Sequence, residues 1–176
     1  MTGLRRGTVA ICEHQPEWEL AAAGCIAELW AIFGDRAVDI QHIGSTAIPH
    51  IKAKPIIDIA VGVESFDLDG LLPKLEAGGR YKKSHNRFSS DLLYVVENDG
   101  IRTHQIHILI HGCEQWHNYI DFRDYMNAHP ARAEEYEALK ARLVDECENV
   151  QTRYTDGKHE WMERALADAR AWAASR

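Results

Sequence analysis

Positive charge is in short supply: 20 Lys and Arg stand against 27 Asp and Glu over 176 residues, leaving a net charge of −7. That balance argues against an electrostatic grip on duplex DNA or RNA, which rests on neutralising phosphates with Lys and Arg. A local basic patch can still hold a small nucleotide. No apolar run approaches the roughly 20 residues of a membrane span, and the N-terminus lacks the apolar core of a signal peptide, so no membrane partner and a cytoplasmic location are expected. The four cysteines, Cys12, Cys25, Cys113 and Cys147, are scattered without a CxxC pair. They read as buried thiols in a reducing compartment, not as a zinc site or a disulfide framework. No HExxH marks a zinc helix. Repeats, linkers and low-complexity tracts are also missing. What remains is ordinary globular composition, 45% apolar and 27% charged, and one domain over residues 1–176.

The chain is organised around residues 39–63. Val38, Ile40 and His42 alternate as in a strand and run into Gly44-Ser45-Thr46. A short helical or irregular segment follows, then a second run from Pro55 to Val63, dense in Ile and Val. A small-residue turn between a strand and a helix leaves backbone N–H groups facing outward and lets an anion approach closely. Period two places Ile57, Ile59, Val61 and Val63 on one face of the second strand, the core face. Ile56, Asp58, Ala60 and Gly62 share the other, where one carboxylate stands beside small residues that leave room above it.

Elsewhere the pattern predicts a loose end over residues 1–8 and a short strand over Val9–Cys12. A helix is predicted from Pro16 to Gly34, with Trp18, Ala22, Cys25, Ile26, Leu29 and Phe33 on its buried stripe. A second helix is predicted over Asp67–Ala77. Strands follow at Tyr81–Ser84, Asp91–Glu97 and Arg102–His111, with Asn98-Asp99-Gly100 as a hairpin turn. From Glu114 onward the pattern is helical. It breaks at His129-Pro130 and at residues 154–157, and Tyr136, Leu139, Leu143, Cys147 and Val150 share one face of the middle helix. The coarse result is α/β with a mixed sheet and a helical C-terminal third.

Asp58 is the first candidate for chemistry, because a carboxylate within an apolar strand is costly to bury unless paired or metal-bound. Its alternative role is a structural acceptor for backbone or for Lys54. Gly44, Ser45 and Thr46 are the phosphate candidates. In the run from Thr103 to His111, Thr103, Gln105, His107, Leu109 and His111 share a face, and His104 lies on the other with Ile106. His107 is the better site residue, as base or metal ligand, against a hydrogen-bonded core or edge histidine. His42, before the turn, and His85, in a polar loop, are further possible ligands. Arg87, Arg102 and Lys158 are the cation candidates for phosphate, each of which also reads as solvated surface charge.

The strings HIGSTAIP and KPIIDI, with IRTHQIHI and FRDYMNAHP…YEALK…YTDGK, resemble the GrpB-like family of the nucleotidyltransferase superfamily, from about Ile11 to the last helix. The resemblance implies a polymerase-β-type fold: a mixed sheet flanked by helices, with a Gly-Ser turn that holds nucleotide phosphates. Active superfamily members follow that turn with carboxylates at alternate strand positions that bind two Mg²⁺ ions. Here those neighbours are Ile56 and Ala60, and only Asp58 remains. The expected function is transfer of a nucleotidyl or phosphoryl group to a small molecule, with Mg²⁺ and a nucleoside triphosphate, ATP foremost. The alternatives are a catalytically reduced nucleotide- or anion-binding module and an ATP-dependent ligase-like enzyme.

Overall fold

A computed structural model describes residues 2–84, 91–146 and 151–176. Strand β1 (Leu4–Arg5) precedes helix α1 (Glu17–Phe33), β2 (Ala37–Ile43), β3 (Ile57–Val63), α2 (Leu71–Ala77) and β4 (Tyr81–Ser84). Then come the hairpin β5 (Leu92–Asn98) and β6 (Ile101–Ile110), and helices α3 (Glu114–Ala128), α4 (Pro130–Glu146), α5 (Gln151–Asp156) and α6 (His159–Ala174). The sheet runs β2-β3-β6-β5-β4, and β1 pairs with the start of β6. Among the described residues only β3 and β6 are parallel neighbours; the other strand pairings are antiparallel. The expected mixed α/β architecture is therefore present.

The two faces of β3 separate as its period predicts. Ile57, Ile59, Val61 and Val63 are fully buried in the core under α1, against Trp18, Leu29 and Phe33. On the opposite face Ala60 packs with Ile43, Leu109 and Trp116, the last brought by α3. Gly62 admits that contact, since a Cβ there would lie 2.8 Å from the Trp116 ring. A second core joins α3, α4 and α6 around Ile48, Phe122, Tyr136 and Ala165. Helix α3 covers only part of the second sheet face, and the uncovered part, carrying Asp58, Gln105 and His107, floors a cavity.

Several local expectations need correction. Residues 2–8 are not a loose end: Leu4 and Arg5 pair with Arg102 and Ile101, and the Gly3 N–H donates to the Pro55 carbonyl. Val9–Cys12 is not a strand, because only Cys12 bridges, to Ala53. Helix α2 starts at Leu71, after Gly70 in a left-handed conformation that ends the preceding turn (φ 74°). Residues 154–156 continue α5, so the break falls later, at Gly157-Lys158. Cys25 is buried, whereas Cys12 and Cys113 are half-buried; all three are free thiols, and Cys147 and Val150 lie outside the described residues. Among the described residues no helix is long and apolar enough to cross a membrane.

Cys113 caps α3, its Sγ accepting the Trp116 N–H at 3.4 Å. A hydroxyl is the better acceptor in that place. Cys113→Ser is expected to stabilise the protein by about 0.5 kcal/mol, read as a higher urea midpoint. An unchanged or lower midpoint contradicts the capping role.

Candidate functional site

Strand β2 delivers the chain into the site at Gly44, whose φ of 71° and ψ of −171° belong to a region that glycine alone occupies readily. Gly44 also lies against Asp58: a Cβ built on it would be 2.6 Å from Asp58 Oδ2. The turn residues Ser45–Ala47 then form one 3₁₀ turn. Register places Asp58 beside Ile43 on one side and Gln105 on the other.

Asp58 is half-buried and held from β6. The Gln105 Nε2 amide donates to Asp58 Oδ1 at 2.9 Å, and His107 Nε2 lies 3.6 Å from the same oxygen. The other nitrogen of His107, Nδ1, is 2.5 Å from Oδ2 of Asp91. Asp91 also accepts the Tyr119 hydroxyl at 3.2 Å, and its carboxylate is completely buried. Burial alone would lower the His107 pKa, but Asp58 and Asp91 outweigh it and raise it to about 9. Burial likewise opposes ionisation of Asp91, yet His107 and Tyr119 hold its pKa below the ordinary value. His107, set between the side chains of Asp58 and Asp91, is thereby biased toward its imidazolium form.

Across the cavity stand lysines. Burial lowers the Lys158 pKa to about 8 against the pull of Asp58. Burial and the neighbouring Lys158 lower that of Lys140 to about 7. Lys54 lies 3.9 Å from the centre of the Tyr154 ring, and Lys158 lies 4.6 Å from it. The cavity has two lobes that share Gly44, Asp58, Gln105, Thr155 and Lys158. An outer lobe of about 740 Å³ adds Ile43, His107, Tyr119 and Met162. An inner lobe of about 270 Å³ adds Ser45, Lys54, Tyr136 and Lys140.

The sequence-derived candidates divide clearly. Gly44, Ser45, Asp58, His107 and Lys158 come together around this cavity. Ser45 Oγ donates to the Tyr136 hydroxyl at 3.4 Å. Thr46 is buried and turned inward, its hydroxyl 2.9 Å from His42 Nε2 and 3.4 Å from the Ile56 carbonyl. His42 pairs with Ile59 and so lies on the α1 face, opposite Asp58; burial lowers its pKa to about 4, leaving it neutral. Arg102 is ion-paired with Glu97 at 3.1 Å and lines a separate small cavity beside β1. His85 and Arg87 lie outside the described residues. Asp91, Gln105, Tyr119, Tyr136 and Lys140 were not singled out for chemistry by sequence reasoning.

The donor set bears on the metal. Among the described residues no group of three His, Cys, Asp or Glu is arranged to hold one. Asp58 and Asp91 favour the protonated form of His107, so a metal ligated there would have to displace a proton. These residues do not cage a metal by themselves. A single carboxylate does fit Mg²⁺ that arrives already coordinated by phosphate oxygens and water.

The chain has recognisable relatives among known proteins. A family model described as GrpB protein matches residues 8–168. The chain is 34% identical over 171 residues to the glutamate-rich protein GrpB of Alkalihalophilus pseudofirmus, covering 94% of this chain and 98% of that one. It is 27% identical to a dephospho-CoA kinase of Mycobacterium tuberculosis, covering 97% of this chain but only 48% of the kinase. The crystal structure of conserved protein GrpB from Enterococcus faecalis superposes with a TM-score of 0.83 at 26% identity, over 93% of this chain and 99% of that one.

Proposed function

The chain belongs to the GrpB family, and from that premise we propose that it is a nucleotidyltransferase-like enzyme that moves a nucleotidyl or phosphoryl group from a nucleoside triphosphate, ATP foremost, to a small molecule. The observation that carries this reading is the position of Asp58 where the two lobes meet, with Lys158 lining both. A polyanion fits the lysine-lined lobe, and an acceptor fits the outer one. The dephospho-CoA kinase relative supports a nucleotide-related function. Because the likeness covers 48% of that kinase, it does not specify the reaction.

In this reading Asp58 accepts the proton of the attacking acceptor group, and Gln105 fixes the carboxylate's rotation through Oδ1. The imidazolium of His107, braced by Asp91, stabilises negative charge developing at the transferred group. Lys158 holds phosphate oxygens, and Gly44 lets them approach the backbone. Mg²⁺ borne by the nucleotide, with Asp58 as its one protein carboxylate, would neutralise phosphate charge. The partners are small molecules and the location is cytoplasmic.

The test is product formation from ATP and a panel of small hydroxyl, amine and carboxylate acceptors, followed by mass spectrometry and phosphorus NMR. Wild type is expected to release diphosphate or transfer phosphate, and Asp58→Asn to lose at least about a hundredfold in rate. An equal rate in Asp58→Asn removes Asp58 from the chemistry. Nucleotide binding without any product selects the second reading, a nucleotide- or anion-binding module. That reading is favoured by the single carboxylate and its engagement by Gln105 and His107.

A further inference from the structure

Lys140 lines the lobe assigned to the polyanion and has no step of its own in the reaction proposed above, yet its placement is unusual for a lysine. It lies within α4 at 1% exposure, where a lone ammonium is costly unless paired. Its direct contacts are neutral, since it donates to the Lys52 carbonyl and stands 4.4 Å over the Tyr136 ring, and Glu137 favours its charged form without outweighing burial and Lys158. Charged groups approach it from each neighbouring element. Lys158, from the α5–α6 junction, acts on it directly, and Lys54, from the segment before β3, and Asp58, from β3 itself, line the same lobe. Glu137, on its own helix, has its carboxylate on the Lys52 N–H at 2.7 Å. The Lys52 ammonium turns away to Glu13 at 3.1 Å. The inner lobe therefore presents Lys54, Lys140 and Lys158 against one carboxylate, with the Ser45 hydroxyl beside them.

We propose that the inner lobe is a subsite for a phosphate dianion, the terminal group of a polyphosphate, and that Lys140 takes up a proton as the dianion enters. This deepens the proposed phosphate chemistry of the same site and rests on it. A cluster of amines crowded together in a buried lobe repels its own protonation, and burial and Lys158 lower the Lys140 pKa to about 7 when the lobe is empty. A dianion in the lobe reverses that balance, because it favours the charged amine. Binding then consumes protons above neutral pH, and affinity falls by up to about tenfold per pH unit once the free amine is deprotonated. A structural lysine that merely ties α4 to Lys52 has no such linkage.

The test is calorimetric titration of the full chain with inorganic tripolyphosphate, and separately with ATP. It is run near pH 7 and about 1.5 units higher, in two buffers of different ionisation enthalpy. Expected are net proton uptake by wild type, at least about tenfold weaker binding at the higher pH, and loss of both the uptake and the pH slope assigned to Lys140 in Lys140→Met. Equal affinity for the two ligands marks a bare polyphosphate as the source. Tighter binding of ATP marks a nucleotide. No binding of tripolyphosphate, binding without proton uptake, or unchanged linkage in Lys140→Met overturns the proposal. Lys158 also titrates in this range, so the proton is assigned by the difference between wild type and variant; Lys140→Arg, which keeps the charge, is the second variant and is expected to bind without that part of the uptake. Proton-linked binding without transfer product would leave the subsite standing while the enzymatic reading fails.

Discussion

Gly44→Ala is expected to destabilise the protein by about 1–3 kcal/mol through the backbone alone, and to weaken nucleotide binding with it. At φ 71° and ψ −171° a side chain collides with its own peptide groups, so the new residue must leave this conformation or carry the strain. The environment adds a second cost, because the new methyl would sit 2.6 Å from Asp58 Oδ2 and 3.0 Å from its Cβ. Asp58 cannot swing aside freely: Gln105 holds its other oxygen at 2.9 Å. Reduced freedom of the unfolded chain returns only about 0.4–1 kcal/mol. Gly78→Ala is the control, since φ there is −75° and a Cβ meets nothing within 4 Å. Urea unfolding of both variants should show a clear drop for the first and little change or a slight gain for the second. Equal midpoints for Gly44→Ala and wild type contradict the close approach.

Asp91→Asn is expected to lower the His107 pKa by about 1–2 units from about 9, Asp58 remaining to support the rest. Each unit corresponds to about 1.4 kcal/mol, so the variant should lose about 2 kcal/mol where His107 is charged in both folded proteins. The direction with pH comes from the raised value. His107 contributes stability fully below its unfolded value of about 6.5, and that contribution disappears as pH rises through about 9. The depressed pKa values of Lys140 and Lys158 have the opposite sense, since their burial cost is relieved as pH rises from about 7 and about 8. The difference between wild type and variant cancels those lysines. It should be largest near pH 6 and shrink toward pH 9. Nitrogen-15 NMR of the imidazole reports the pKa directly; an unshifted His107 in Asp91→Asn contradicts the role given to Asp91.

Much of this was legible in the sequence, and the gaps have identifiable causes. Strict alternation in Pro55–Val63 revealed both faces of β3, because a strand buried on one face cannot change register without exposing its apolar set. The Asn98-Asp99-Gly100 turn was equally readable. Asp99 and Gly100 both take positive φ, as a two-residue hairpin requires. The partnership of Asp91 with His107 was hidden by a bulge in the same hairpin. Asn98 pairs with Ile101 and Glu97 with Arg102, but a shift between Val96 and Glu97 pairs Val96 with His104 and Leu93 with His107. Without the bulge, Asp91 would be assigned opposite the wrong face of β6. Bulges leave little trace in one sequence. The lysine-lined lobe was only partly readable: Lys158 was a phosphate candidate and Lys54 a possible partner of Asp58, but with Lys140 they come from three separate segments, and spacing does not show that they meet. Thr46 and His42 turned away from the pocket to bond with each other, a local pairing that composition and spacing do not disclose.

The central claim is that Asp58 and the lysine-lined lobes form one nucleotide site. Calorimetric titration with ATP, with and without Mg²⁺, on wild type and Asp58→Ala tests it most directly. The expected result is wild-type binding that strengthens with Mg²⁺ and loses that Mg²⁺ dependence in Asp58→Ala. Absence of ATP binding to wild type under both conditions would contradict it.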